Sequence, residues 1–349
     1  MADRSAGRAF VGSFTSAGGR GIVAADVDPE TGALAETGAS DAVADPSYLA
    51  AVTTSAGTVL HAVSETADGA VAAFEATGAA PRPIGRRVPV GGGHPTHLAV
   101  SQGHLLTANF SSGSVSVLPV GTDGTPGPLA GVMRHEGAGP VLERQDGPHV
   151  HQVIPDPTGR WILSVDLGTD SVRICALDTA AGALLPHRET VLPPGTGPRH
   201  LAFRPDGRHV YVLAELEPVV VVCRWDASAG LLEPVGETAV VPDGTTGPAY
   251  PSTPVVAHDG RHLWAAVRGH DSIAVLSLDA TGERAALVTT VPCGGHWPRD
   301  LALDPTGRRL YAANERSGDV TWFSIDAATG VPQPAGTLAV PAASCVIFA

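Results

Sequence analysis

The sequence of 349 residues contains no lysine, so arginine supplies every permanently basic side chain. This absence excludes a Schiff-base lysine and the phosphate-binding lysine of a Walker-type loop. Basic side chains number 22 against 35 acidic ones, which gives a formal net charge of −13. An acidic surface repels a phosphate backbone, and we therefore expect no nucleic-acid partner.

Cysteines and long apolar runs are also scarce. The four cysteines, Cys175, Cys223, Cys293 and Cys345, lie far apart and show no C-x-x-C spacing. The sequence therefore predicts neither a zinc site nor a redox pair, but four buried and reduced thiols. No stretch reaches the roughly 18 uninterrupted apolar residues of a membrane helix, and residues 1–8 carry no apolar run behind their charges. We expect a cytoplasmic protein without a membrane partner.

Glycine and proline are abundant instead, with 42 and 30 residues. Such a high frequency of turn-forming residues leaves little room for long helices and favours an all-β fold. A single compact core stops growing at about 250 to 300 residues. A chain of this length should therefore form two domains, a barrel with additions, or a repeat that divides its core into units.

An internal repeat decides among these alternatives. Residues 198–215 and 298–315 follow one template, in which Pro-Arg-x-Leu-Ala is followed by Pro-x-Gly-Arg and a second apolar run. Weaker copies begin at Pro46, Pro95, Pro148 and Pro251. The period is therefore about fifty residues, which is typical of propellers.

Each repeat contains the signals for four strands. Two apolar runs flank a turn such as Pro-Asp-Gly, which predicts a β-hairpin of strands A and B. A third run, for example residues 219–223 or 272–276, predicts strand C, and an Asp-Ala-x-x-Gly type of turn leads to a variable strand D. Four strands in about fifty residues are typical of a propeller blade.

The two ends of the chain supply the remaining blade. Residues 343–348 resemble a seventh strand A, whereas residues 10–15 and 21–26 resemble strands B and C. We therefore predict an all-β, seven-bladed β-propeller with four antiparallel strands per blade, formed by residues 1–349 as a single domain. The C-terminal strand should complete the blade that the N-terminus begins, which closes the ring and removes an open sheet edge.

Blade geometry places two sets of loops on one rim of the central channel. Strand A starts and strand B ends on the same face, so the D–A and B–C loops meet there. The polar residues of these loops are His94, His97, His149, His151, Arg199, His296, Arg299, Glu65, Asn109, Asp166, Glu215, Arg268, His270, Asp271, Asn314 and Glu315. Because arginine can bind a carboxylate or phosphate and histidine or glutamate can move a proton, this set favours an enzyme that acts on an anionic substrate.

Other interpretations of the same rim are open. Polar channel side chains often satisfy loop amides and trapped water without any catalytic role. His149 and His151 alternate along an extended segment and could begin a metal site with Asp166 or Glu215, but such histidines are more often structural. Trp297 could pack on a substrate ring or fill space between blades. No G-x-S-x-G motif is present, so the sequence does not support a nucleophile-elbow hydrolase.

Several strings resemble one known family over nearly the whole chain and in the same order. They are Arg144-Gln145, residues 148–152 (Pro-His-Val-His-Gln), residues 165–172, residues 197–203 with Gly-Pro-Arg-His, Ala214-Glu215, residues 268–273 with Arg-Gly-His-Asp, and residues 298–300. The chain thus resembles the seven-bladed propeller lactonases. That family includes the propeller type of 6-phosphogluconolactonase and the fungal 3-carboxymuconate lactonizing enzyme.

The resemblance implies a set of active-site residues. A histidine of the His-x-His string, the arginine of Gly-Pro-Arg, the glutamate that follows and the arginine of Arg-Gly-His-Asp are the family's proposed active-site residues. They correspond here to His149 or His151, Arg199, Glu215 and Arg268. Two positions depart from the family pattern, because Val267 replaces an asparagine and residues 216–218 replace a more polar segment.

We therefore expect a metal-independent lactonase without a cofactor, acting on an anionic sugar lactone, with 6-phosphogluconolactone of the pentose phosphate route as the leading substrate. Arg199 and Arg268 should hold the anion and the oxyanion, and Glu215 or one histidine of the pair should take a proton from water. Further substrate contacts are expected from His97, Asn109, Asp166, His270, His296, Arg299 and Asn314. The alternatives are lactonization or cycloisomerization of a carboxylated muconate-type substrate, or a non-catalytic propeller that binds a protein. The charged rim favours the enzyme, and the sequence does not indicate an oligomeric state.

Overall fold

The computed structural model describes residues 7–54 and 57–349, which form 28 strands. These strands make seven sheets, each of four antiparallel strands. Within the described residues, helical structure is limited to the 3₁₀ turn Thr15–Ala17. The predicted all-β architecture of seven four-stranded blades is confirmed.

The strands follow the repeat closely, and we number the blades from the N-terminus. Blade 1 contains β1 (Gly7–Ser13), β2 (Ile22–Val27) and β3 (Leu34–Ser40), and it is completed by the last strand of the chain. Blade 2 consists of β4 (Leu49–Thr54), β5 (Gly57–Ser64), β6 (Ala70–Glu75) and β7 (Arg82–Pro89). Blade 3 consists of β8 (Pro95–Ser101), β9 (His104–Asn109), β10 (Ser114–Pro119) and β11 (Gly131–Arg134). Blade 4 consists of β12 (Val150–Pro155), β13 (Trp161–Asp166), β14 (Ser171–Asp178) and β15 (Ala183–Val191). Blade 5 consists of β16 (Pro198–Phe203), β17 (His209–Ala214), β18 (Val219–Asp226) and β19 (Leu231–Ala239). Blade 6 consists of β20 (Tyr250–Val256), β21 (His262–Arg268), β22 (Ser272–Leu278) and β23 (Ala285–Pro292). Blade 7 consists of β24 (Pro298–Leu303), β25 (Arg309–Asn314), β26 (Asp319–Ile325) and β27 (Pro332–Ala339). The last strand is β28 (Ala343–Phe348).

Blade 1 is shared by the two ends of the chain. β28 pairs antiparallel with β1, so that Val346 lies opposite Val11 and Phe348 opposite Ala9. The strand order is β28-β1-β2-β3, which makes β28 the innermost strand, and β28 also contacts β24 and β4, the innermost strands of the neighbouring blades. The predicted closure of the ring by the C-terminal strand is confirmed.

The hydrophobic core is divided among the interfaces between blades. The described residues form seven apolar clusters, and each cluster joins one blade to the next. The cluster that joins blade 7 to blade 1 includes Trp322 of β26 and Val346 of β28. The repeat thus allows a chain longer than a single hydrophobic core can support to fold, because each blade interface has its own apolar cluster.

Aromatic residues on the second strand of four blades bridge to the next blade. The Tyr211 hydroxyl donates to the carbonyl oxygen of Gly282 at 3.0 Å, and the Tyr311 hydroxyl donates to that of Gly32 at 2.8 Å. Trp161 and Trp264 make equivalent indole hydrogen bonds to the turns of blades 5 and 7. Because Tyr311 belongs to blade 7 and Gly32 to blade 1, one of these hydrogen bonds crosses the point where the ring closes.

Two further features match or extend the sequence analysis. The four cysteines are buried and free, as predicted. Within residues 7–54 and 57–349, no helix is both long and apolar enough to cross a membrane.

Candidate active site

Three basic or imidazole side chains of the site come from one position of the repeat. Near the start of the innermost strand, the pairing with its neighbour shifts register within residues 150–152, 198–200 and 298–300. Such a bulge inserts an extra residue and re-aims its side chain. The inserted residues are His151, Arg199 and Arg299, so three neighbouring or nearby blades present a basic or imidazole group at the same depth of the channel.

The acidic side chains occupy a second repeated position, directly after the second strand of a blade. The Glu215 backbone N–H donates to the Gly197 carbonyl at 2.7 Å, and the Glu315 N–H donates to the Trp297 carbonyl at 3.1 Å. Glu65 makes the equivalent bond in blade 2. In blade 6 this position holds Arg268. The repeat therefore brings three glutamates and one arginine beside the bulge residues.

Glu215 lies between three guanidinium groups, and we call these four residues the Glu215 cluster. Its Oε2 is 2.6 Å from Arg268 Nη2 and 3.2 Å from Arg199 Nε, while its Oε1 accepts a hydrogen bond from Arg144 Nη2. The side chains of Arg199, Arg268 and Glu215 are only 3%, 7% and 5% exposed, whereas that of Arg144 is 38% exposed. Three predicted catalytic residues are thus in direct contact, and Arg144 covers them on the solvent side.

Backbone carbonyls hold the two buried arginines in place. Arg199 Nη1 donates to the Ser252 carbonyl, and Arg268 donates to the carbonyls of Tyr250 at 3.2 Å and Pro251 at 3.3 Å. These bonds all reach the first residues of β20 or the bulge within it. The guanidinium groups are therefore fixed before any substrate arrives, which is the preorganisation that electrostatic catalysis requires.

Arg299 forms a second ion-pair group beside the first. Its Nη2 is 3.5 Å from Glu65 Oε1, and its Nη1 is 3.3 Å from Glu315 Oε2. Its guanidinium carbon also lies 4.9 Å from the ring centre of Phe14. Together with the Glu215 cluster, four arginines face three glutamates, so these two ion-pair groups have one more positive than negative side chain although the whole chain is acidic.

The carboxyl groups of the site differ in their proton affinity. Burial alone would raise the pKa of Glu215, but Arg268, Arg199 and Arg144 outweigh it and lower the pKa to about 2. Burial raises the pKa of Glu65, and Arg299 only partly opposes this effect. Glu215 is therefore an anion at neutral pH, and because both of its oxygens already contact arginines, it is suited to holding these arginines in position rather than to removing a proton.

Three buried histidines form a row next to the bulge residues. The ring centres of His151 and His200 lie 5.1 Å apart, and those of His200 and His97 lie 5.4 Å apart. Burial and the nearby Arg199 charge lower the pKa of all three, that of His97 to about 3. These imidazoles are therefore neutral at pH 7. One ring nitrogen of each histidine has no hydrogen-bond partner among the described residues: Nδ1 of His97, Nδ1 of His151 and Nε2 of His200.

The channel narrows beneath this layer. A cavity of about 10 Å³ is lined by Arg199, His200, Arg299, Asp300 and hydroxyl-bearing side chains of the neighbouring strands. That volume is comparable to a single water molecule. A sugar lactone does not fit this cavity, so we expect a substrate to bind on the solvent side of the Glu215 cluster. His97, for which substrate contact stays a prediction, lies against Tyr48, with ring centres 4.1 Å apart.

Asp300 in this deeper layer gives a pH-dependent prediction. Burial raises its pKa to about 6, although the Val346 N–H donates to its Oδ2 at 3.1 Å. The folded state thus binds this proton more tightly than the unfolded state, so its contribution to stability is present below about pH 4 and is lost as pH rises towards 6. Asp300→Asn should therefore raise the free energy of unfolding at pH 7.5 by about 2 to 3 kcal/mol and change it little at pH 4. Urea unfolding of both proteins at these pH values measures the effect, and a difference that is independent of pH would contradict it.

Three other predicted residues lie at the rim. The His149 ring stacks on Phe110 with centres 4.6 Å apart, and its Nε2 is 3.0 Å from Asp146 Oδ1. His270 Nδ1 contacts the Ser272 hydroxyl at 2.7 Å. His296 is half exposed and pairs with Asp271. These imidazoles surround the mouth but do not touch the Glu215 cluster by any described hydrogen bond.

Asn109, Asp166 and Asn314 are fully buried and make hydrogen bonds within the fold, although Asn314 Oδ1 has no partner among the described residues. Asn109 and Asn314 donate to side chains of the following strand, for example Asn314 Nδ2 to Asp319 Oδ1 at 2.8 Å. Asp166 binds His135 at 2.7 Å and accepts from the His149 N–H at 2.8 Å. These three residues each end the second strand of a blade and stabilise the loop that follows it, so their contact with substrate stays a prediction.

The structure also brings in residues that the predicted set lacked. Arg144 belongs to a loop that Gln145 anchors through Leu167 O at 2.8 Å and Asp170 Oδ1 at 2.7 Å. The only sequence signal for Arg144 was its place in the Arg-Gln string. His200 reaches the channel because the bulge at Arg199 directs consecutive side chains there, which simple alternation along a strand would not predict.

The described residues contain no group of three or more histidine, cysteine, aspartate or glutamate side chains placed to hold a metal ion. Asp166, a possible metal-binding partner of His149 and His151, makes hydrogen bonds to His135 and to loop N–H groups.

The larger clefts, of about 870 and 640 Å³, lie between blades on the side of the Pro-Asp-Gly turns. Their charges mostly pair with each other at the surface, as Arg224 does with Glu283 at 2.7 Å.

The charged mouth and the seven-bladed ring agree with a comparison to known proteins. Residues 8–348 match the family described as "Lactonase, 7-bladed beta-propeller". The chain belongs to this lactonase family. The predicted family is therefore confirmed, and with it the expectation of a lactone-hydrolysing type of enzyme.

Individual family members are similar over most of their length. A 6-phosphogluconolactonase of Bacillus subtilis (strain 168) is 34% identical over 345 residues, which cover 97% of both chains. A 6-phosphogluconolactonase of Pectobacterium carotovorum is 30% identical over 253 residues, 71% of this chain and 72% of that one. Among solved structures, a periplasmic gluconolactonase of Pseudomonas aeruginosa superposes with a TM-score of 0.91 at 28% identity, covering 99% of each chain.

Proposed function

We propose that this lactonase hydrolyses 6-phosphogluconolactone to 6-phosphogluconate, a reaction of the pentose phosphate route, without a metal ion. The observation that carries the proposal is the Glu215 cluster, in which a buried anion fixes three arginines at the closed end of an open channel mouth. Similarity to 6-phosphogluconolactonases at up to 34% identity supports the choice of substrate.

Arg199 and Arg268 would stabilise the charge that develops on the lactone carbonyl oxygen. Both guanidinium groups are immobilised by Glu215 and by backbone carbonyls, so they need not reorganise during the reaction. Preorganised donors of this kind contribute about 3 to 4 kcal/mol to catalysis in acyl transfer. Arg144, on the solvent side, would close the mouth over the bound lactone.

His151 would act as the base. Its imidazole is neutral because burial, Arg199 and Arg299 lower its pKa, and its Nδ1 has no partner among the described residues. Water oxygen forms a bond to the lactone carbonyl carbon while its proton moves to the imidazole. The bond from that carbon to the ring oxygen then breaks, and the ring oxygen takes the proton, so the histidine returns to its neutral form.

An assay with purified protein tests this proposal. We expect hydrolysis of 6-phosphogluconolactone above the rate without protein, and the same rate after dialysis against EDTA. His151→Gln should lower kcat by about 10²- to 10⁴-fold with little change in KM. His149→Gln is the matched control, because it alters a histidine two residues away that lies on the rim, and its effect should be much smaller.

Three results would contradict parts of the proposal. Failure of the wild-type protein to accelerate hydrolysis would reject the substrate. Loss of turnover in EDTA that a divalent cation restores would reject metal independence. Equal losses in the two histidine variants would remove His151 from the role of base.

A further inference from the structure

Trp297 has an unusual backbone conformation at the channel mouth. Its φ is +65°, in the left-handed region that bulky residues rarely adopt. The corresponding residue of blade 5 is Gly197, with φ of +59°, and each residue accepts the N–H of the glutamate that follows the second strand of its blade. The repeat therefore accepts glycine here, which suits the conformation better. A tryptophan at this position calls for a reason other than backbone geometry.

The surroundings of Trp297 hold its backbone firmly. The Trp297 N–H donates to Asp271 Oδ1 at 2.8 Å, and its carbonyl accepts the Glu315 N–H at 3.1 Å. The indole is only partly buried, whereas the tryptophans at 161, 225, 264 and 322 are at most 6% exposed. The fold thus presents one fixed indole at the mouth.

Two guanidinium groups lie against this indole. The guanidinium carbon of Arg316 is 3.4 Å from the ring centre, and that of Arg268 is 5.6 Å from it. Arg268 is bound to Glu215. Arg316 is exposed, and no carboxylate of the described residues lies within ion-pair distance of it. Among the arginines next to the site, the others all share a carboxylate, so Arg316 is the cation left for an added anion.

We propose that Arg316, positioned by stacking on Trp297, binds the phosphate group of the substrate and makes the enzyme prefer phosphorylated sugar lactones. A guanidinium group stacked on an aromatic face keeps its N–H edges available for two parallel hydrogen bonds to phosphate. The guanidinium carbons of Arg316 and Arg268 lie 3.4 and 5.6 Å from the same ring centre, so they are at most 9.0 Å apart. A phosphorylated lactone would contact Arg316 with its phosphate and the Glu215 cluster with its carbonyl. Trp297 is thus a positioning residue. This inference rests on the proposed function and adds the specificity of the same site.

Kinetics with two lactones test the inference. Arg316→Ala should raise KM for 6-phosphogluconolactone by about 10- to 100-fold, since a hydrogen bond to a charged group is lost, and should leave kcat nearly unchanged. KM for the unphosphorylated glucono-δ-lactone should not change. Trp297→Gly should shift KM in the same selective way, with an unchanged or higher Tm because glycine suits the left-handed backbone. Trp297→Phe should retain most of the preference, because it keeps a stacking surface.

The outcomes separate this inference from the proposed function. If the wild-type enzyme hydrolyses the phosphorylated lactone but Arg316→Ala changes KM for both lactones equally, or for neither, the phosphate subsite is rejected and the proposed function stands. If the wild-type protein hydrolyses neither lactone, the proposed function fails, and the subsite is judged by titration with 6-phosphogluconate followed by tryptophan fluorescence. Quenching in the wild type that is lost in Arg316→Ala, which keeps the Trp297 indole, supports the subsite, and any other pattern overturns it.

Discussion

Glu215→Gln is expected to lower kcat/KM by about 10²- to 10⁴-fold and the free energy of unfolding by about 3 to 5 kcal/mol. The neutral amide leaves Arg199 and Arg268 buried without their shared counterion, so both the fold and the oxyanion site lose a stabilising charge. Steady-state kinetics and denaturant unfolding of the same protein measure the two effects.

The control for this substitution is Glu283→Gln. Glu283 also pairs with an arginine, since its Oε1 lies 2.7 Å from Arg224 Nε, but both side chains are well exposed and lie far from the channel mouth. An exposed pair contributes about 0 to 1 kcal/mol, so stability and turnover should hardly change. If Glu215→Gln behaved like this control, the Glu215 cluster would be neither a structural nor a catalytic centre.

Deletion of residues 342–349 should abolish cooperative folding of the propeller. β28 is the innermost strand of blade 1, and its loss exposes β1 and opens the apolar cluster around Val346 and Trp322. Total stabilities of folded domains are about 5 to 15 kcal/mol, so the loss of one buried central strand is enough to unfold the chain. Near-ultraviolet circular dichroism and thermal unfolding of the truncated protein measure this.

Addition of a peptide with the sequence of residues 342–349 provides the complementary experiment. The peptide should restore part of the near-ultraviolet signal, because it can pair with β1 in the register seen here, whereas a scrambled peptide should not. A truncated protein with the Tm and spectrum of the full chain would show that β28 is dispensable.

The sequence could predict whatever the repeat determines. The register of the template placed Arg199 and Arg299 at one level and Glu215 and Glu315 at another, and the structure has them in contact as two ion-pair groups. Arg268 was predicted as a B–C loop residue on the same rim, and the structure shows that it occupies the glutamate position of blade 6.

What the sequence could not predict depends on local geometry outside the repeat. Arg144 reaches Glu215 from a loop whose path is set by Gln145, and no periodic pattern describes that path. Asn109 and Asn314 occupy the last position of a strand beside the mouth, yet their side chains turn to the loop hydroxyls and carboxylates next to them. A shift of one residue along a strand reverses the direction of the side chain. This shift decides whether a residue at the end of a strand points into the mouth or into the loop beside it.

The sharing of blade 1 between both ends has a consequence for synthesis of the protein on the ribosome. Blades 2 to 7 each consist of consecutive strands and can assemble in order as they emerge, but blade 1 lacks its innermost strand until β28 has emerged. Until then β1 presents an unpaired edge to solvent or to a neighbouring nascent chain. Synthesis of β28 therefore determines when an open, aggregation-prone arrangement of blades can become a closed ring.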